Sequence, residues 1–455
     1  MTRRPGARLV SAALLLAAGT VAACSRTPPP PRHVLLVVLD ATHAAQLSCY
    51  GGPGGLTPAL DALAARGVRF DRAHSAAAWT LPATASLLTG QIPEHHGVVC
   101  EHQALPEEAL TLAERMRDAG WRTAAFVQMV YASDSYNLDQ GFDEYRYYAS
   151  DAEKRDDLLV YDAAAWMEAH AGERTFTYVH FRRPHGPYDP EAAAWRRLGP
   201  APELPSEARF FELQRADAEI AEVSELAPGE QALVERLYRA NLGTVDDTLA
   251  SLLLRLPDPE RTLVVVTADH GEALGQHGRF GHGAHVWAET IDIPLIAAGP
   301  QVVRHVDSGP AGTTDVLPTL LEACGLPLPA SAELDGRSLW PRLTGVAPDP
   351  GAEAQAPPVA VCARYGGASP PAVAVIEGRW KLVLQPDGDA ALYDRATDRE
   401  DRVRLESREP AIAERLGTLA RQWVDEHRDA ASAALPAPEL PAERQDELRQ
   451  LGYLR

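Results

Sequence analysis

The chain is short of cysteine, of positive charge and of long apolar runs, and each shortage closes off a class of protein. Five of its 455 residues are cysteine (Cys24, Cys49, Cys100, Cys324 and Cys362) and none forms a C-x-x-C pair, which excludes a zinc ribbon or a thioredoxin-type motif. No disulfide pairing follows from their spacing. Lys and Arg number 43 against 63 Asp and Glu, a formal charge of −20, and such a field repels phosphate backbones. Nucleic acid is not an expected partner. The apolar run "LVSAALLLAAGTVAA" near the N-terminus is too short to span a membrane comfortably. No internal repeat is present. What remains, 45% apolar and 23% charged residues, is ordinary globular composition with length for one large core or two domains.

Residues 1–24 read as an export signal: Arg3, Arg4 and Arg8 supply a positive start, the apolar run follows, and small residues precede Cys24. "VAAC" resembles the lipobox of bacterial lipoproteins, in which the cysteine is diacylated and becomes the mature N-terminus. Two acyl chains give stable rather than reversible anchoring. The competing reading is an ordinary secretory signal with an incidental cysteine. "SRTPPPPR", residues 25–32, favours the lipoprotein, because a proline-rich tether is stiff and holds a domain off the membrane. The expected location is the bacterial cell envelope, with the membrane as a partner through lipid on Cys24. Oligomeric state has no readable signature.

After the tether, "HVLLVVLD" is a continuous Val/Leu run ending in Asp40, the pattern of a strand buried on both faces. "RTFTYVH" ends in His180, "RTLVVVTADH" ends in Asp269 and His270, and "WRTAAFV" and "IPLIAAG" read as further strands. Helix-like segments such as "TPALDALAARG", "ALTLAERMRDAG" and "EQALVERLYRANLGTVDDTLASLLLRL" lie between them. Such alternation predicts an α/β fold: a mainly parallel sheet sandwiched by helices. From about residue 345 the texture changes to short strands ("PPVAVCARY", "PAVAVIEG", "RWKLVLQ", "AALYD") and a helix, "EPAIAERLGTLARQWVDEH". We expect a catalytic domain over 33–345, then the loop "GVAPDPGAEAQAPP" and a small α+β subdomain and tail over 346–455. Ligands of parallel sheets gather outside the carboxyl ends of the strands, so Asp40, His180, Asp269 and His270 are predicted to converge.

"AAAWTLPATASLLTG" adds a threonine to that site. Pro82 suits the first turn of a helix and Gly90 its end, which places Thr80 where free backbone N–H groups favour negative charge. Such a position stabilises an alkoxide or a bound oxyanion. A threonine hydroxyl is a poor nucleophile without a base or a metal. Asp40, the Thr80 oxygen, Asp269 and His270 make a four-ligand set suited to Zn²⁺ or Mn²⁺, with Ca²⁺ also compatible. Taken singly, Thr80 is an N-cap, Asp40 a strand end and Asp269-His270 a turn; the four together argue for a site. His180 and His185 in "HFRRPHGPY" and His282 in "GRFGHG" could bind a second metal, hold a substrate oxyanion, or protonate a leaving group. His95, His96, His277 and His285 read as loop residues.

The order of motifs resembles the sulfatases, within the alkaline phosphatase superfamily. "HVLLVVLDATHAAQLSCYGG", "TPALDALAARGVRFDRAHSAAAWTLPATASLLTGQIPEHHGV", "GWRTAAF", "LDQGFDEY", "PHGPY", "TADHGEALGQHGRFGHG" and "IPLIAAGP" follow that family's blocks. "GRWKLVL", "ALYDRATDRED" and "LRQLGYL" resemble its C-terminal subdomain and tail. The departures concern chemistry. Sulfatases carry C-x-P-x-R, whose cysteine becomes formylglycine; Thr80, Pro82 and Thr84 stand there, and threonine cannot be so converted. Ala41 replaces the second aspartate of a D-D metal pair, and the G-K-W-H block has no counterpart. Superfamily members that do use threonine, including phosphoethanolamine transferases, lipoteichoic acid synthases and nucleotide pyrophosphatases, hold a metal with Asp or Glu, Thr, Asp and His. The histidines of the first group also resemble His180, His185 and His282.

The resemblance implies a metal-dependent hydrolase of a phosphate or sulfate ester, with Thr80 as nucleophile. A head-group transferase of the cell envelope shares its first half-reaction, although the membrane helices common in such enzymes are missing. A non-catalytic binding protein on the same fold is the third reading. The leaving group is not readable.

Overall fold

The computed structural model describes residues 29–149, 155–200, 202–215, 223–346, 359–363, 371–427, 436 and 439–451. The export signal, Cys24, the first half of the tether, residues 347–358 and the end of the tail lie outside the described residues. Cys49 and Cys324 are free thiols. Among the described residues, no helix is long and apolar enough to cross a membrane.

The main sheet is built on β1 (His33–Leu39), all seven residues of which are buried. β1 lies between two parallel neighbours, β5 (Thr175–Phe181) and β6 (Thr262–Thr267), and a core cluster covers each of its faces, so neither face meets water and the Val/Leu run is explained. Outward from β5 come β3 (Arg122–Val127) and β4 (Glu144–Tyr147), both parallel. Outward from β6 come β10 (Leu295–Ala298), β2 (Val68–His74) and β11 (His305–Gly312), with a short β9 (Asp292–Ile293) beside β2. β10 runs antiparallel to both neighbours, so the sheet is mixed, with a parallel centre.

Strand alternation divides the core. Val34, Leu36 and Val38 face one helical layer together with Phe176 and Tyr178 of β5. Leu35, Val37 and Leu39 face the other, where the 24-residue helix Glu230–Leu253 packs. The first layer contains the helix Thr80–Thr89, every residue of which is buried. Gly90 ends that helix at φ +72°, with its N–H on the Ser86 carbonyl. That left-handed turn is open to glycine at little cost.

β7 (Ala273–Leu274) and β8 (Phe280–Gly281) form a small hairpin after β6. A second, antiparallel sheet follows: β12 (Val359–Ala363), β13 (Ala372–Glu377), β14 (Trp380–Leu384) and β15 (Ala390–Asp394). One face of it packs on Leu416 and Ala420 of the helix Pro410–Glu426, and the other on Ala78, Val286 and Ile291 of the main body. Lys381 and Asp401 form a fully buried ion pair in this seam. The tail then returns: Leu448 and Leu451 enter the main core, and Arg444 bonds Ser133 at 3.0 Å and Asp134 at 2.6 Å.

Candidate active site

Register alone brings the carboxylates together. Val38 pairs with both His180 and Thr267, so Asp40 and Asp269, each two residues further on, leave the sheet side by side. The Asp40 N–H donates to the Phe181 carbonyl at 3.0 Å. His180 points from β5 toward the same layer as Tyr178 and the helix Thr80–Thr89, because residues two apart on a strand share a face.

The result is a wholly buried cluster. His180 Nε2 lies 3.3 Å from Asp40 Oδ2 and 3.9 Å from Asp269 Oδ2. His270 Nε2 lies 3.5 Å from Asp40 Oδ1 and 3.4 Å from Asp269 Oδ2, and 3.2 Å from Thr80 Oγ1. Both oxygens of Asp40, Asp269 Oδ2 and His180 Nε2 have no hydrogen-bond partner among the described residues. Unpaired buried charges of this kind are too costly to leave uncompensated. Burial, and next the Asp269 carboxylate, raise the pKa of Asp40 from 3.8 to about 8, because two carboxylates cannot share a dry site both ionised.

These residues fit a divalent cation. Asp40, His180 and Asp269 each offer a ligand atom within 4.8 Å of the others. A tetrahedron with bonds of about 2.0–2.2 Å has edges of about 3.3–3.6 Å, close to the separations that His270 Nε2 makes with its three neighbours. Asp269 Oδ1 accepts from the Ala41 and His270 N–H groups at 3.2 and 2.9 Å, which leaves Oδ2 for the cluster. His270 Nδ1 faces the Gly271 carbonyl at 2.8 Å. It must therefore carry the proton, and Nε2 keeps its lone pair. His180 Nδ1 pairs with the Tyr178 hydroxyl at 2.9 Å, and burial lowers the pKa of His180 to about 4. It is neutral, as a ligand must be.

Thr80 is the first residue of its helix, after an extended Trp79. Its hydroxyl is fully buried and meets His270. The Trp79 ring is held edge-on by Tyr131, centroids 5.4 Å apart. Thr84 and Ala41 are also fully buried; Ala41 sits at φ +55°, a left-handed conformation that costs a non-glycine residue about 1–2 kcal/mol.

His185 and His282 close one side. Their rings lie 5.0 Å apart, and His282 is 4.2 Å from His270. His185 Nδ1 faces the Gly186 carbonyl at 2.7 Å, which again makes Nδ1 the proton-bearing nitrogen. His282 Nδ1 pairs with Glu272 at 3.1 Å. Burial first, then the His270 and His185 rings, hold the pKa of His282 well below its usual value. The Arg182 guanidinium holds the carbonyls of His185 and Gly186 at 3.0 and 2.9 Å and Asp189 at 2.9 Å.

Asp40, Thr80, His180, His185, Asp269, His270 and His282, all singled out in the sequence, thus stand together. His180, for which the sequence offered either a second metal or a substrate oxyanion, faces the carboxylates. Glu272, Tyr178 and Tyr238 were not singled out. Glu272 follows Asp269 by three residues, and Tyr178 shares the His180 face of β5; those spacings were the available signals. The histidines read as loop residues stand away from this cluster: His95 and His96 lie instead in a short helix, Pro93–His96, against Asp335 and Ser86, and His277 pairs with Glu289. Cavities of about 620 and 380 Å³ open along the seam with the small sheet, and neither is lined by Thr80.

A family model described as Sulfatase matches residues 32–326. The chain is 26% identical over 405 residues to an ulvan-active sulfatase of Formosa agariphila, covering 80% of this chain and 75% of that one. It is 24% identical over 425 residues to a choline-sulfatase of Rhizobium meliloti, covering 80% of each. Among solved structures, a phosphonate monoester hydrolase of Agrobacterium radiobacter superposes with a TM-score of 0.70 at 20% identity, over 91% of this chain and all of the other. That last likeness is one of fold.

Proposed function

Because the chain belongs to the sulfatase family, we propose that it is a hydrolase of sulfuric or phosphoric ester bonds that cleaves its ester through the hydroxyl of Thr80, with Asp40, Thr80, Asp269 and His270 holding a divalent cation. His180, facing the other oxygen of Asp40, completes that set or begins a second site. The observation that carries the reading is the 3.2 Å approach of Thr80 Oγ1 to His270 Nε2 beside three unpartnered carboxylate oxygens. A bound Zn²⁺ or Mn²⁺ lowers the pKa of a coordinated hydroxyl and offsets charge building on the ester oxygens. Ca²⁺ is also compatible with the oxygen donors.

The remaining steps belong to side chains. Thr80 Oγ1 attacks the phosphorus or sulfur in line, losing its proton, while the bond to the leaving oxygen breaks. The free N–H groups at the helix N-terminus stabilise the oxyanion. Nε2 of His185 or His282 takes the Thr80 proton and returns it to the leaving alcohol. Water then cleaves the Thr80 ester. Threonine in place of the formylglycine-forming cysteine, and Thr84 in place of arginine, favour a phosphoryl over a sulfuryl group. We further propose export and lipid anchoring at Cys24, which incorporation of labelled fatty acid, lost in Cys24→Ala, would test.

The decisive experiment offers one chromogenic alcohol as phosphate monoester, phosphodiester and sulfate ester with Zn²⁺, Mn²⁺ or Ca²⁺. Thr80→Ala should lose at least a thousandfold in turnover while remaining folded, and intact-mass measurement of quenched wild type should reveal an adduct on Thr80. Unchanged turnover in Thr80→Ala removes the nucleophile from this reading. Transfer of the group to an envelope acceptor rather than water would make the enzyme a transferase.

A further inference from the structure

We infer that Tyr238 is a positioning residue that sets the geometry of the proposed cation site through the backbone of Ala41–His43, an inference that rests on the reading above. The side chain is fully buried on the helix Glu230–Leu253. Its hydroxyl donates to the Ala41 carbonyl at 2.8 Å and accepts from the His43 N–H at 3.2 Å. One phenol therefore satisfies a carbonyl and an N–H of a turn that lies outside the sheet ladder, in a dry environment where losing either bond is costly.

That turn decides where Asp40 points. Ala41, at φ +55°, reverses the chain immediately after the strand, so Asp40 leaves β1 toward Asp269 instead of continuing the sheet. The same residue's N–H donates to Asp269 Oδ1 at 3.2 Å. An alanine is not disposed to this conformation. Something must hold it, and the Tyr238 hydroxyl makes the bonds that do.

The clamp reaches a second wall of the site. The Tyr238 ring meets Tyr188 edge-on, centroids 5.9 Å apart, and Tyr188 follows His185 by three residues. Asn241, one helical turn from Tyr238 and also fully buried, donates to the Pro184 carbonyl at 3.4 Å. Residues three apart share a helix face, so one face of one helix braces both the Asp40 turn and the loop that carries His185. Nothing in the local sequence of "LYRAN" announces this role.

The test is metal affinity, read by competition with a chromogenic chelator for Zn²⁺, beside the thermal midpoint of chelator-treated protein. Tyr238→Phe keeps the ring and removes only the hydroxyl; it should bind Zn²⁺ at least tenfold more weakly. Adding Ala41→Gly to it should restore most of that affinity, since glycine adopts positive φ without a clamp. A wild-type affinity in Tyr238→Phe overturns the inference. So does a loss that Ala41→Gly leaves in place, because the hydroxyl would then act through general stability and not through the turn. If wild type itself takes up no divalent ion, the proposed cation site fails and this inference falls with it; if wild type binds and the variant binds equally, Tyr238 alone is refuted.

Discussion

Asp40→Asn, studied in chelator-treated protein, isolates the electrostatic cost of the candidate site. Asp40 has its carboxyl raised from 3.8 to about 8, first by burial and then by Asp269. Between those values the folded chain holds a proton that the unfolded chain has released, so stability falls as pH rises through that window. At about 1.4 kcal/mol per pH unit, this cost is about 2 kcal/mol at pH 5 and about 5 kcal/mol at pH 7.5. Asparagine, neutral and of the same shape, carries none of it. The stability of Asp40→Asn relative to wild type should therefore rise by about 3 kcal/mol between pH 5 and pH 7.5. Urea unfolding at the two pH values measures this difference, and the buried histidines cancel because both proteins have them. Excess Zn²⁺ should reverse the order, since only wild type gains from binding. A gap that does not change with pH would mean that Asp40 is already ionised in the fold, and the argument for a charge-starved cluster would be lost.

Two further outcomes concern the scaffold. Lys381→Ala leaves Asp401 buried without its partner, next to the Ala288 N–H that it also accepts from at 2.8 Å; removing one member of a buried pair costs about 3–5 kcal/mol. A loss below about 1 kcal/mol by chemical denaturation would show that water reaches the seam. His96, buried between Ser86 and the Val98 N–H, has its pKa lowered to about 3, mainly by burial. The folded protein thus binds fewer protons than the unfolded one below pH 6.5, and stability falls with acid. His96→Gln should flatten that fall by about 1.4 kcal/mol per pH unit between pH 6 and 4; an unaltered slope would place the acid sensitivity on other groups such as His74, whose pKa is lowered to about 4.

Much of the fold was readable because its signals are local. The unbroken apolar run of β1 requires cover on both faces, and the long amphipathic segment after Gly229 supplies one of the covering helices. The α/β class and the small antiparallel sheet followed from such runs. Edge elements were harder. β4 and the helix Arg155–Ala169 carry mixed polarity because they are only half covered, so no clean period marks them. The antiparallel course of β10 is set by which neighbour it meets, and hydrophobicity along a strand does not encode direction.

The site divides along the same line. Residue chemistry and position at strand ends were enough to name Asp40, Thr80, Asp269 and His270, because a parallel sheet gathers its strand ends wherever it forms. The end of β5 also named His180, and the stretches around His185 and His282 named those two, before the resemblance matched all three to a family pattern. What the linear order did not contain was the orientation of side chains. Whether His180 faces ester or carboxylate depends on the face of β5 it occupies and on the helix packed there. The clamp from Tyr238 to Ala41 joins residues 197 apart, and neither has an unusual neighbour in the chain. Local periodicity reports which residues are buried; only the packed chain decides which buried atoms meet, because those contacts are made between elements and have no period along the sequence.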